Sequence, residues 1–297
     1  MARAPGRTAA RRPTPSGTPT DAQRHADLCS NTVPNASATL AVWASAWLAG
    51  AAAADDVLDA LTAWAPLHRV HAADRVAAGS TGLPGPDDGT VGPATLFAPL
   101  RAAGDTDVRL VLPSPGDVRG LPAGTAFAGA ALAAGEGVLV PGARLGLVPV
   151  PEGREALRWR VFAVPAVIRP ADHTGLGEAE HGLREAVRDS ARALLELDVA
   201  SGDRHVRGRI AATLRARPRL DWPTGTPGRA LRVLDSADEV AAILAAAGQD
   251  APGGARTAPT AAARDDLLRP LWTAVRTART AAVAETVRVL TAGRAAS

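Results

Sequence analysis

The chain has no lysine and no tyrosine, and all 33 of its basic residues other than histidine are arginine. A P-loop needs a lysine at the β- and γ-phosphates, a pyridoxal enzyme needs one for its Schiff base, and a protein kinase needs one to hold ATP. All three are excluded. Dehydrogenases that work through a tyrosine–lysine pair are excluded with them. Cysteine is limited to Cys29, which rules out an intrachain disulfide and a multi-cysteine zinc site. A single cysteine fits a reducing cytoplasm, the expected compartment.

These absences also change how the charge is read. The sequence pI is about 10.5, yet the formal net charge at pH 7 is only +3. Little titrates between the thiol range and arginine near about pH 12. A small positive excess therefore persists to high pH, and nucleic acid is not inferred from the pI. What the chain has in abundance is alanine, 68 residues, beside 29 glycines and 24 prolines. That composition follows from a GC-rich genome, so arginine in place of lysine reads as compositional habit rather than as phosphate recognition.

At 297 residues the chain is long enough for one large or two modest domains. Residues 1–34 scatter Arg3, Arg7, Arg11, Arg12 and Arg24 among Pro, Thr, Ser and Gly, and are expected to be a disordered basic tail. A solvated tail, or a start read too far upstream, is favoured over an arm touching acidic partners. The run Asn31 to Ala54 carries no charge, but it begins late for a signal peptide and is mostly Ala, Ser and Thr. No membrane span is expected.

Leu40, Trp43, Trp47 and Leu48 recur at helical spacing up to Gly50. Asp55 or Asp56 then caps a second helix with Val57, Leu58, Leu61 and Trp64 as its stripe. Trp43, Trp47 and Trp64 are expected to share a core. Pro66 predicts the first turn of a third helix reaching about Ala78, followed by a Gly- and Pro-rich loop to Pro93. Strands are expected at Asp107 to Leu112, Val138 to Val140, Leu145 to Val150 and Leu157 to Val164, with a short helix over Ala126 to Ala134. Leu157, Trp159 and Val161 alternate with Arg158 and Arg160, which predicts a sheet with one wet face.

After Pro170 the pattern is helical. Leu183, Val187, Ser190, Leu194 and Leu197 form a stripe, with Glu180–Arg184 and Arg192–Glu196 as i,i+4 pairs. Further helices are expected from about Asp203 to Ala216, Ser236 to Ala247 and Pro270 to Leu290. The fold class is α+β: a helical N-terminal region, a small, mostly antiparallel sheet and a helical C-terminal half. Residues 35–297 read as one domain, with a division into 35–170 and 171–297 left open.

The runs Leu-Pro-Ser-Pro-Gly-Asp-Val-Arg-Gly-Leu-Pro (Leu112 to Pro122) and Gly-Leu-Arg-Glu-Ala (Gly182 to Ala186) resemble an uncharacterised protein family of high-GC, actinobacterial-type bacteria. The resemblance extends from about Trp43 to the C-terminus. It implies a coherent fold and no activity.

The best candidate site is the loop Pro113 to Gly124, which leaves a strand and enters a helix through Thr125. Such loops expose helix N–H groups and suit anions. Ser114, Asp117, Arg119 and Thr125 supply two hydroxyls, a carboxylate and a guanidinium, and are the candidate ligand-binding residues. Ordinary turn chemistry at Pro-Gly-Asp, with Arg119 in a surface ion pair, explains the same residues and is favoured.

Other groupings are weaker. His68, His71 and Asp74 recur every three residues, which on a helix brings them partly onto one face, but a fourth metal ligand is missing, so no metal is assigned. Asp172, His173, Glu178, His181 and Glu185 form an acidic–histidine group with no nucleophile beside it. No serine lies in a Gly-x-Ser-x-Gly elbow and no Gly-x-Gly-x-x-Gly follows a strand, so no cofactor is assigned. Arg204, Arg207, Arg209, Arg215, Arg217 and Arg219 lie near Trp222, yet lack interleaved aromatics; a solvated helix face is favoured over nucleic acid.

The sequence therefore points to a non-catalytic binding or interaction protein with an unidentified protein partner. The alternative is a small-ligand (anionic) binding protein or enzyme using residues 112–125, joined by Asp172 and His173. A concave pocket uniting Asp117 and Arg119 with a histidine or carboxylate favours the enzyme; solvent exposure beside an apolar patch favours the interaction protein.

Overall fold

The computed structural model describes residues 35–104, 107–153, 155–165, 174–196, 208, 211–215, 218–248 and 258–292. The expected tail, residues 1–34, lies outside the described residues. The first helix, α1 (Ala36–Leu48), is capped by Asn35, whose side chain accepts from the Ala38 N–H. Nearly every residue of it is buried, including Ser37 and Ser45, so the uncharged run is a central helix wrapped on all sides. In α2 (Ala54–Thr62) the cap is Ala53, and Asp56 reaches back to accept the Ala53 N–H at 2.8 Å. Val57 and Leu61 of α2 are buried as the periodicity predicts.

The third predicted helix does not form. Leu67–Ala72 is a strand, β1, and the helix that follows, α3 (Arg75–Thr81), is capped by Asp74. Leu67, Val70 and His71 fit one face of a helix, but in the strand His68 and Val70 turn to one side and Leu67 and His71 to the other, and the partner that decides between helix and strand lies far away in sequence. A 3-10 turn (Pro93–Leu96) and α4 (Phe97–Ala102) lead to β2 (Arg109–Val111). Next come α5 (Ala126–Ala134), β3 (Gly137–Val140), β4 (Leu145–Glu152) and β5 (Ala156–Ala163).

The five strands make one sheet in the order β1-β5-β4-β3-β2. The β2–β3–β4–β5 part is antiparallel, as expected, and β1 adds to it parallel beside β5. One face carries Val70, Val138, Leu147, Trp159 and Val161 into the main core, with α1 and α2. The other face is covered at one end by α5, where Phe127 packs with Leu139, Val148 and Phe162. Phe127 lies directly on the strand backbone: a β-carbon at Gly146 would run into its ring, and one at Gly137 would meet it at 3.3 Å.

The helical C-terminal half is α6 (Leu176–Glu196), α7 (Gly228–Gly248) and α8 (Ala258–Ala292). Both α7 and α8 begin earlier than the apolar pattern suggests, and α8 continues through Pro270. Glu180 of α6 takes Arg184 and also Arg229 of α7, while Arg279 of α8 pairs with Asp238 of α7 at 2.6 Å. Leu271, Trp272, Val275 and Ala282 of α8 enter the same core as Leu40 and Val42 of α1. Leu197 and most of the predicted helix over Asp203 to Ala216 lie outside the described residues. Among the described residues, no helix is long and apolar enough to cross a membrane.

Candidate functional site

β2 delivers the chain into the predicted loop with Leu110 and Val111 anchored in the two cores. Ser114 and Asp117 then exchange backbone bonds, Ser114 N–H to Asp117 O at 2.9 Å and Asp117 N–H to Ser114 O at 2.8 Å. Gly116 sits at φ 83°, the left-handed conformation such a tight closure requires. The Asp117 carboxylate receives Nε and Nη2 of Arg119, each at 2.8 Å. These hydrogen bonds, opposed by burial and aided by the charges of Arg119 and Arg276, hold the carboxyl below its usual range.

Arg276 of α8 acts on this turn through its charge. Its Nη2 donates to Thr273 at 3.0 Å, while its Nε is buried without a hydrogen-bond partner. Burial lowers its pKa, against the attraction of Asp117. Ser114 is buried, and Val118, directly after the closing pair, is 54 % exposed. Thr125 is occupied elsewhere: its hydroxyl donates to Pro122 O and accepts the Ala128 N–H, capping α5. The structure thus brings Asp117 and Arg119 together, ties Ser114 to them through the backbone, and uses Thr125 as a helix cap.

The histidines separate because they lie on a strand. His68 faces the main core, where its Nε2 is 2.8 Å from Leu61 O and its Nδ1 accepts the Trp159 indole N–H at 3.0 Å. This pattern fixes the Nε2–H tautomer. Burial keeps the ring below its usual pKa, against the Leu61 and Ala65 carbonyls. His71 faces the opposite side, and Asp74 is spent on the Ala77 N–H at 2.8 Å. The three therefore do not converge. Among the described residues no cluster of His, Cys, Asp and Glu suits a metal ion.

His71 belongs to a different group, which sequence reasoning missed. β1 pairs with β5 so that Arg69 lies across from Arg158 and His71 across from Arg160. Burial, then the charges of Arg158 and Arg160, lower the His71 pKa. The alternation of Arg158 and Arg160 was visible in sequence; that a second basic strand lies beside them was not.

A buried carboxyl, Glu136, also went unnoticed in the sequence. It lies just before β3 and accepts the Ser37 N–H at 2.9 Å, serving the N-terminus of α1. Burial pushes its pKa up to about 7, against Ser37 and the charge of Arg279. Of the second acidic–histidine group, Asp172 and His173 lie outside the described residues. Glu178 sits in the first turn of α6, and Glu185 pairs with Arg188. Of the arginine-rich stretch, Arg215 donates back to Ala211 O at 3.0 Å, a helix-flank contact. Trp43 donates its indole N–H to Asp221 O at 3.0 Å, and Trp222 packs against the main core.

Two family models match the chain, the N-terminal domain of Rv1486c-like protein over residues 37–174 and its C-terminal domain over residues 177–280. The chain is 44 % identical over 275 residues to "Uncharacterized protein Rv1486c" of Mycobacterium tuberculosis H37Rv, covering 83 % of this chain and 95 % of the relative. It is 40 % identical over 286 residues to "Uncharacterized protein ML1804" of Mycobacterium leprae, with 83 % and 95 % covered. No solved structure matches it. From two matched domains in chain order and relatives aligned over nearly their full length, the chain belongs to the Rv1486c-like protein family.

Proposed function

We propose that this protein is a non-catalytic binding protein that presents the Ser114–Arg119 turn to a protein partner. The observation that carries the reading is Val118, an apolar side chain more than half exposed immediately after a turn closed by two backbone hydrogen bonds. A rigid backbone holding an exposed aliphatic group lowers the entropy lost on association. Asp117 supports it: a carboxylate gripped on both oxygens by one guanidinium, its pKa depressed, holds shape rather than exchanging protons near neutral pH. The reading places the protein in the cytoplasm, which a lone cysteine favours.

The test is a photo-crosslinking amino acid at position 118 in the full chain, exposed to mycobacterial extract. A discrete adduct at 118 that is missing with the probe at Val76, another exposed valine, is expected. Identical labelling from both positions, or none from 118, contradicts the reading. A second reading, an anionic ligand or substrate at this loop, draws on the unpartnered buried Nε of Arg276, which is coupled electrostatically to Asp117. It requires thermal stabilisation by a small anion that disappears in Arg276→Gln.

A further inference from the structure

The sheet face opposite the main core carries a row of like charges. Arg69 stands across from Arg158, and His71 across from Arg160, on adjacent parallel strands. Like charges directly opposite each other destabilise a sheet, so such a row calls for compensation. Glu152 at the end of β4 supplies part of it, pairing with Arg158 and, at 3.3 Å, with Arg69. Among the described residues no acid pairs with Arg160. Its guanidinium lies 5.1 Å from the Phe162 ring centre, and its β4 neighbour is Val148. In the same row, Nε2 of His71, a residue only 7 % exposed, and Nε of Arg158 are buried with no hydrogen-bond partner. Buried nitrogens left unpaired are costly, and the neighbouring arginine side chains are long enough to rearrange around a ligand.

We propose that this face binds a small phosphoryl-bearing ligand, with Arg158 and Arg160 gripping its oxygens and His71 donating from Nε2. Three guanidinium groups against one carboxylate leave two positive charges, which a phosphate monoester dianion cancels and a single carboxylate does not. Guanidinium forks match the geometry of phosphoryl oxygens. The imidazole is neutral at pH 7, since burial and both arginines oppose its protonation, and it therefore adds a donor without adding charge. The basic groups occupy two positions on each of two strands, a patch of roughly 7 Å by 5 Å. That accommodates one phosphoryl group and not a run of backbone phosphates. The site is separate from the 113–124 turn, so it stands or falls independently of the protein-partner reading.

The test is calorimetric titration of the full chain with inorganic phosphate at fixed ionic strength, with acetate, chloride and a single-stranded oligonucleotide as comparators. Saturable phosphate binding is expected, weakened at least tenfold in Arg160→Gln, the scale of one lost charge-assisted hydrogen bond. Because Arg160 faces His71 and has no acid of its own, R160Q should unfold no earlier than the parent protein when phosphate is absent. Arg158→Gln gives a second reading of the same site, with a similar loss. Arg276→Gln should leave phosphate binding unchanged. Four outcomes would overturn the proposal: no saturable phosphate binding, equal binding of acetate or chloride, binding intact in R160Q, or loss in R276Q alone. Oligonucleotide binding that outcompetes phosphate and falls steeply with salt would overturn it too, in favour of a nucleic-acid face.

Discussion

Glu136 and the two strand histidines pull stability in opposite directions with pH. The Glu136 carboxyl titrates at about 7 in the folded chain, against 4.5 when unperturbed. Between those values the unfolded chain has released this proton and the folded chain keeps it, so this contribution falls as pH rises and levels off above about 7. His68 and His71 have folded pKa values below 6.5, so the unfolded chain binds their protons first and their contribution is lost as pH falls below 6.5. Glu136→Gln retains an acceptor for the Ser37 N–H and removes one side of the contest. Urea unfolding from about pH 5 to pH 8 should show the E136Q variant gaining on the parent as pH rises, by roughly 3 kcal/mol at the top of the range. A constant difference across the range contradicts the account of Glu136.

His68 makes a different prediction at the same scale. Replacing it with leucine removes the acceptor of the Trp159 indole and leaves that buried N–H unpaired, while Leu61 O keeps the Trp64 N–H at 3.0 Å. A loss of roughly 1–3 kcal/mol is expected in urea unfolding, with the tryptophan fluorescence of the folded state altered. None of this was legible in the sequence. A histidine three residues from another reads as a helical pair until the strand is known, and Glu136 is a single acid in an apolar stretch.

Among the elements, α5 was the most legible and shows why. Thr125 caps it, Gly135 ends it in the left-handed conformation at φ 74°, and the alanines between have the highest helix propensity. Local chemistry alone sets its bounds. Its docking depends on two glycines of the sheet, which let the Phe127 ring rest on backbone. Gly146→Ala should cost roughly 1–3 kcal/mol by overpacking, and Thr125→Ala roughly 1 kcal/mol by loss of the cap, both read from denaturant midpoints. Equal, negligible effects would mean that α5 is not held as described. β1 lies at the other extreme, since its identity as a strand rests on parallel pairing with β5, some ninety residues later, which no local pattern encodes. The uncharged run of α1 was legible as helix, but its burial on every side depends on α2, β3 and α8 arriving from elsewhere.

At the level of the whole molecule, the two matched family domains are not separate in their packing. α8 sits against α1, and Trp272 and Val275 share one core with Leu40, Val42 and Trp159. We propose that residues 37–280 unfold as one cooperative unit, so tryptophan fluorescence and far-UV circular dichroism should give coincident denaturation curves. Two resolved transitions contradict this. The α+β layout was legible because apolar periodicity and Pro-Gly turns mark most elements. The functional surface was not, because Arg69 and His71 meet Arg158 and Arg160 only through tertiary pairing. Nor does the arginine habit single them out, in a chain whose basic residues other than histidine are all arginine.

If the paired row on β1 and β5 is a phosphoryl-binding face, the imidazole of His71 reports on it most directly. In nitrogen-15-histidine-labelled full-length protein at pH 7, titration with inorganic phosphate should shift the His71 Nε2 resonance saturably as that nitrogen gains a hydrogen-bond acceptor, while His68 stays fixed. The Arg160→Gln variant should need at least tenfold more phosphate for the same shift. A His71 resonance that does not move with phosphate, or that moves equally with chloride, would contradict the claim.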